Sequence, residues 1–184
     1  MSIPAENRLE CPQDMKLVGP SLEYKKSFEE AIEELRKTGD RMGLWEDIGS
    51  PKNIEEYIRL RKDHSQGKDL PTGYIPSTTY WLLDNGKVVG EVHVRHQLTE
   101  HLRNEGGHIG YWIRPTKRQQ GYGKKILELA LEKARDLGIE KALVTCDTTN
   151  TASKRIIESN GGVLEQAKDP QGKPKKLLYW IDLK

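Results

Sequence analysis

Cysteine, acidic residues in one long stretch, and extended apolar runs are what this chain has least of, and each scarcity excludes something. Two cysteines occur in 184 residues. Cys11 and Cys146 lie far apart without metal-ligand spacing, so no bound metal is expected, and Cys146, ending an apolar run, reads as a small buried residue. No apolar run approaches membrane-spanning length and the first residues carry no signal pattern, so no membrane is expected and the cytoplasm is the expected location. A formal net charge of +2 gives no global argument for nucleic acid. What remains is 35% hydrophobic and 32% charged residues, which fits one soluble domain over 1–184 with a modest core.

Acidic residues are missing altogether from 106–127, in GGHIGYWIRPTKRQQGYGKKIL. The run 108–113 alternates as a buried strand does, and Pro115 ends it by removing a ladder donor. A basic, glycine-punctuated loop follows, then a helical pattern from about Tyr122. Lys124 and Lys125 sit in its first turn, where the macrodipole disfavours cations, and Arg114, Lys117 and Arg118 crowd the same end. A strand, a glycine-rich turn and a helix N-terminus form an anion cradle of backbone N–H groups. Gly121 and Gly123 are read as positions of close approach and positive φ. The Walker pattern is absent, and a dinucleotide fingerprint would need glycine where Ile126 stands.

The run Arg118-Gln119-Gln120-Gly121-Tyr122-Gly123 does match Arg/Gln-x-x-Gly-x-Gly/Ala. Downstream, Asn150 and Ser153 open a helix that closes on Asn160-Gly161-Gly162. These two motifs, at this spacing, resemble the pyrophosphate loop and the Asn-x-x-Ala/Ser helix of the GNAT superfamily of acyl-CoA-dependent N-acyltransferases. The resemblance runs from about Tyr80 to the C-terminus. It implies an α/β (α+β) fold with a mixed, mostly antiparallel sheet of about six to seven strands. CoA would lie where two parallel strands splay apart.

On that resemblance, the backbone of Trp112, Ile113 and Arg114 would pair with the pantetheine arm of acetyl-CoA. The loop Arg118, Gln119, Gln120, Gly121, Tyr122, Gly123 and Lys124 would hold the pyrophosphate. Asn150, with Ser153 following, would bond the pantetheine. The implied activity is acetyl transfer from acetyl-CoA to a primary amine, directly in a ternary complex; the alternative is a non-catalytic acyl-CoA-binding module. A homodimer is compatible with the family, and a nucleic-acid partner is not expected.

An amine protonated at neutral pH needs a base. His108, at the start of the cofactor strand, is the first candidate, against a strand-edge histidine bonded to backbone. Glu91 is the second, acting alone or orienting His108, against a solvated strand residue. His93, His96 and His101 have only their residue type in favour. Many relatives carry a tyrosine seven residues after the motif asparagine, where this chain has Ile157. Ser153, Tyr111 or Tyr122 could donate instead, and the general acid stays unassigned.

Periodicity and caps supply the other elements. A short strand is expected at 15–18, a helix from Pro20 or Ser21 to Thr38 with Gly39 as its cap, and a helix over 54–64 behind Asn53. Loops are expected at 40–51, containing Trp45, and at 65–76. Asp84-Asn85-Gly86 predicts a hairpin joining strands at 80–83 and 88–95. In the second of these, Val88, Val92 and Val94 should share one face, and Glu91, His93 and Arg95 the other. A helix over 121–137, a parallel strand at 142–146, a helix over 147–160, and a hairpin of 163–165 with 177–181 around 169–172 complete the chain. Residues 1–76 would form the substrate side and 77–184 the acyl-CoA-binding core. Trp45, Tyr57 and Tyr74 could line an amine pocket or simply pack. Glu29, Glu30, Glu33 and Glu34 read as a solvated helix face, or as attraction for a cationic amine.

Overall fold

The computed structural model describes residues 14–39, 51–165 and 176–184. Trp45, Cys11 and the turn at 169–172 lie outside the described residues. Among the described residues, seven strands form one sheet in the order β1-β2-β3-β4-β5-β7-β6. They are β1 Lys16–Val18, β2 Ser77–Asp84, β3 Lys87–Arg95, β4 Ile109–Ile113, β5 Lys141–Asp147, β6 Val163–Leu164 and β7 Lys176–Asp182. All described pairings are antiparallel except β4 with β5. The mixed, mostly antiparallel sheet expected from the sequence is the one observed.

Among the described residues, five helices flank it: α1 Lys25–Thr38, α2 Ile54–Ser65, α3 Glu100–Glu105, α4 Tyr122–Asp136 and α5 Thr151–Ser159. Their ends follow from local chemistry. Gly39 takes a left-handed φ of 68° beyond α1, as a C-terminal glycine does. Asn53 accepts from Glu56 N–H at 2.8 Å to start α2, and Asn85 and Gly86, at φ 48° and 73°, make the tight β2–β3 turn.

Three boundaries differ from the sequence reading. The helix expected from Pro20 or Ser21 opens as a 3-10 turn at Leu22–Tyr24 and becomes α1 only at Lys25. The helix expected from residue 147 begins at Thr151, because Asn150 is its cap and accepts from Ser153 N–H at 3.0 Å. The segment before β4 is not all loop. Thr99 accepts from Leu102 N–H at 3.2 Å and starts α3, which at six residues is too short to show a helical period.

The sheet separates two cores. On one face α4 and α5 cover Leu82, Val89, Val92, Val94, Ile109 and Ile113. On the other, α1 and α2 cover Trp81, Leu83 and Val88, with Phe28 stacked on Trp81 at 4.3 Å. Val88 was expected beside Val92. A register shift opposite Leu82 and Leu83 makes Val89 an extra residue, and such a bulge turns every later or earlier side chain over by one face.

Candidate active site

The parallel seam between β4 and β5 holds together at one end only. Its ladder has one register pair, Ile109 with Val144, extended by His108 N–H donating to Leu143 O at 2.7 Å. Beyond Ile109, β4 runs on to Ile113 and β5 to Asp147 without further pairing. The strands therefore splay. Alternation decides which groups face the opening. Arg95 N–H donates to His108 O and Arg114 N–H to Val89 O, so the even-numbered residues of β4 spend their backbone groups on β3. Tyr111 and Ile113 turn theirs toward the gap. For Trp112 and Arg114 this corrects the expectation of backbone groups offered to a ligand.

Past β4, a 3-10 turn at Pro115–Lys117 leads into an exposed loop and then α4. Gln119 and Gly121 both take left-handed φ, 59° and 88°, and the helix cap has no side-chain hydrogen bond. Lys125 N–H donates back to Gly121 O, so Tyr122, Gly123 and Lys124 present N–H groups with no helical carbonyl before them. No acid lies in this first turn, and a Cβ on Gly121 would meet nothing within 4 Å. The loop is open, and its donors and macrodipole suit an anion.

Several side chains here have different duties from those expected. Gly123 is helical, and its lack of a Cβ lets α4 approach α5, since a Cβ would lie 2.5 Å from Ile156 Cδ1. Tyr122 turns into the core, donating to Asp84 Oδ2 at 2.6 Å, so only its backbone can reach a ligand. Lys125 pairs with Glu128 at 2.7 Å, which relieves part of the repulsion at the helix start. Arg118 Nε donates to Ile113 O at 3.2 Å, and Gln120 Nε2 to Thr116 O at 3.0 Å. Arg114 reaches α1, where Glu34 accepts from its Nε at 2.9 Å and pairs with its Nη2 at 2.7 Å. Thr116 Oγ1 donates to the same carboxylate at 2.8 Å. Arg114 and then Thr116 hold the Glu34 carboxyl below the usual range, against partial burial. Glu34 is thus not a solvated helix residue but a clamp on the end of β4.

Inside the splay, the Tyr111 hydroxyl and Ser153 Oγ lie 3.3 Å apart. Burial pushes the Tyr111 phenol up to about 12. Ile157 is fully buried, packed beneath Gly162.

On the opposite face, Glu91 is 1% exposed and its carboxylate is surrounded by donors. Tyr57 Oη and Trp81 Nε1 donate to Oε2 at 2.5 and 2.7 Å; Trp112 Nε1 donates to Oε1 at 3.2 Å. The fourth partner is His93, with Nε2 3.1 Å from Oε1. Burial, then the nearby charge of Arg61, pushes His93 down to about 4, against the pull of Glu91. Burial raises the Glu91 carboxyl, but its His93, Arg61 and Tyr57 interactions together outweigh that and hold it low. A neutral His93 donating Nε2–H to an ionised Glu91 satisfies every group, and its Nδ1 then accepts from Thr79 Oγ1 at 2.9 Å.

Glu91 therefore orients His93 and not His108. His108 lies at the seam, 7% exposed, and its Nδ1 accepts from Leu143 N–H at 2.9 Å. Burial, then Arg95, pushes it down to about 4. The sequence reading passed over His93, although its place two residues from Glu91 on one strand face was a usable signal. His93 also helps line a cleft of about 490 Å³ between β3, α2, α3 and the 66–76 loop, which includes Tyr74 in its wall. Tyr57 instead packs and bonds Glu91.

Residues 26–163 match the acetyltransferase (GNAT) domain. Among solved structures, a ribosomal-protein-serine acetyltransferase assignment from Vibrio cholerae superposes with TM-score 0.61 at 19% identity, covering 92% of this chain and 94% of that one. The Microcin C7 self-immunity acetyltransferase MccE, bound to acetyl-CoA and AMP, gives 0.61 at 16%, covering 92% and 93%. A Salmonella typhimurium acetyltransferase that modifies the N-terminal serine of a 50S ribosomal protein gives 0.58 at 17%, covering 95% and 98%. No curated protein sequence matches significantly. The chain belongs to the GNAT acetyltransferase family. It is an acetyl-CoA-dependent acetyltransferase. Among the described residues, no helix is long and apolar enough to cross a membrane, and no group of three or more His, Cys, Asp or Glu could hold a metal ion.

Proposed function

We propose that this protein is an N-acetyltransferase that acylates a primary amine directly, with donor and acceptor meeting at the β4–β5 splay. One observation carries the reading: an anion cradle beyond the C-terminal end of β4 and a cleft reaching His93 near its N-terminal end. Bound there, acetyl-CoA supplies an activated acetyl thioester. The cradle fits its diphosphate, with N–H groups of Tyr122, Gly123 and Lys124 as donors and the exposed Arg118, Gln119, Gln120 and Gly121 shaping the approach. Tyr111 offers its N–H and C=O, and Ile113 its N–H, to the pantetheine amides, while the Ile113 carbonyl accepts from Arg118. Asn150 spends Oδ1 on its helix and has its amide donor for the same arm. Holding a long flexible donor at several points is what brings its carbonyl to a defined position.

Positive charge around the acceptor cleft favours the neutral form of an entering amine. Its nitrogen becomes acidic as the new C–N bond forms, and His93, its Nε2–H held by Glu91, takes the proton at Nδ1 once the Thr79 hydroxyl turns away from that nitrogen. His108 keeps the seam closed with its Nδ1 lone pair, so on this reading it does not act as the base. The Tyr111–Ser153 pair donates hydrogen bonds toward the leaving sulfur. A phenol near 12 keeps its own proton beside a thiolate, whose ordinary pKa is about 8.5, so Tyr111 stabilises without being consumed.

The test is two-substrate kinetics, following thiol release as acetyl-CoA and an acceptor amine are varied together. Intersecting double-reciprocal lines and no acetylated protein are expected. Parallel lines with an isolable acetyl-protein would reject direct transfer; acetyl-CoA binding without turnover across a broad amine panel would reject the activity.

A further inference from the structure

The wall of the acceptor cleft is cationic. Among the described residues, Arg61, Arg95 and Lys176 line it, with His64, His93 and His101 and hydroxyl groups from Thr72, Ser77 and Thr99; Glu105 is the one acid. Arg61 is 4% exposed, with its guanidinium 5.0 Å from the Tyr57 ring centre. Arg95 Nη1 donates to the Gly106 and Gly107 carbonyls at 3.2 Å each, which fixes it beside the start of β4. Lys176 stands at the rim, 2.7 Å from Asp147.

The balancing acids lie behind the wall. Glu91 is enclosed by its four donors, and Asp147 is absent from the lining. Glu29, Glu30, Glu33 and Glu34 also lie elsewhere: on α1, where Glu34 holds Arg114. An attraction of that acidic run for a cationic amine therefore has no footing in the cleft. The positive field is felt within it: burial first and Arg61 next push both His64 and His93 down, against Asp69 and Asp63 at His64 and Glu91 at His93.

We infer that the acceptor is an amine bearing an anionic group, carboxylate or phosphate, which the Arg61–Arg95–Lys176 wall receives while the amine faces His93. This rests on the acetyl-transfer reading and names its substrate class. A planar guanidinium accepts either anion through paired N–H donors. A diamine of the same length would bring a second cation against three others, at a cost in binding. The same field that holds the anion favours the uncharged amine.

Matched amines test this. O-Phosphoethanolamine and β-alanine are compared with ethanolamine, propylamine and 1,3-diaminopropane as acetyl acceptors. An anionic member is expected to exceed its neutral counterpart at least tenfold in kcat/KM, and the advantage should shrink as salt rises. The preferred anion distinguishes phosphate from carboxylate. Lys176→Glu at the rim should reduce the preference severalfold, and Arg61→Gln more strongly, with Arg61→Lys restoring part of it. Calorimetric titration of the same amines into protein saturated with free CoA reads the cleft separately from turnover. Anionic amines binding without turnover would overturn the acetyl-transfer reading while keeping the cleft's preference. Neutral amines or the diamine binding or reacting as well as anionic ones would overturn the inference and leave the transfer reading standing.

Discussion

His93 Nε2 and Glu91 Oε1 lie 3.1 Å apart, two residues along one strand, with side chains 3% and 2% exposed. That hydrogen bond joins the buried donor ring around the carboxylate to the wall of the acceptor cleft. It also fixes which nitrogen of His93 carries the proton. Replacing Glu91 with glutamine puts an NH2 group where two donors need an acceptor. Each unmet donor costs about 1–3 kcal/mol, so Glu91→Gln should lose about 2–6 kcal/mol in urea unfolding. His93→Gln should lower kcat by about 10²–10³ while acetyl-CoA affinity holds. A kcat within threefold of the parent would remove His93 from proton transfer.

Acid stability follows from His108. Its pKa is about 4 in the folded protein against an ordinary 6.5, because burial and then Arg95 disfavour the cation. The unfolded chain therefore binds the proton first as pH falls. The contribution is fully present above about 6.5, declines between 6.5 and 4, and is gone below that, a change of at most about 3 kcal/mol and less where solvent screens the ring. His93 moves in the same direction. His108→Asn keeps an oxygen to accept from Leu143 N–H but cannot titrate. Its stability at pH 7 should stay within about 1 kcal/mol of the parent, with a shallower decline toward pH 4. Chemical unfolding at several pH values reads both, and an unchanged slope would deny His108 this role.

The 3.3 Å contact between the Tyr111 hydroxyl and Ser153 Oγ makes the two act together. Tyr111→Phe should lower kcat by about tenfold to a hundredfold, as loss of one positioned donor does, and shift KM for acetyl-CoA little. Ser153→Ala should lower it less, and the double variant should fall short of the product of the singles. Independent, multiplying effects would separate them.

Two glycines near the donor path should answer alanine differently. A Cβ on Gly107, at φ 66°, would lie 2.5 Å from Leu143 O. Backbone cannot yield as a side chain can, and Gly107→Ala should cost about 2–4 kcal/mol by wedging the seam. Gly121, at φ 88°, faces open space, so Gly121→Ala should cost about 1 kcal/mol from left-handed strain alone. Its larger effect should be a several-fold rise in KM for acetyl-CoA. Equal stability losses in thermal melts would contradict this division.

Local chemistry was enough to read the caps, the Asn85-Gly86 hairpin, the order of strands and helices, and the basic loop of 118–124, because short-range periodicity and turn residues specify them. The family motifs lie within that same reach. The roles of individual side chains did not. Gly123 looks like a loop glycine until α5 lies against it; Tyr122 looks like a ligand residue until Asp84 receives its hydroxyl.

The sequence by itself determined the basic strand–loop–helix segment, since each part is built from neighbours in the chain. Tertiary structure decided the rest. It brought Tyr57, Trp81, His93 and Trp112 around the buried Glu91 carboxylate, tied Glu34 to Arg114 across 80 residues, and gave the cleft its cationic wall. These depend on strand register, one bulge and the packing of α1 and α2 on a single face. A one-residue change in register would send the same side chains to the other side of the sheet.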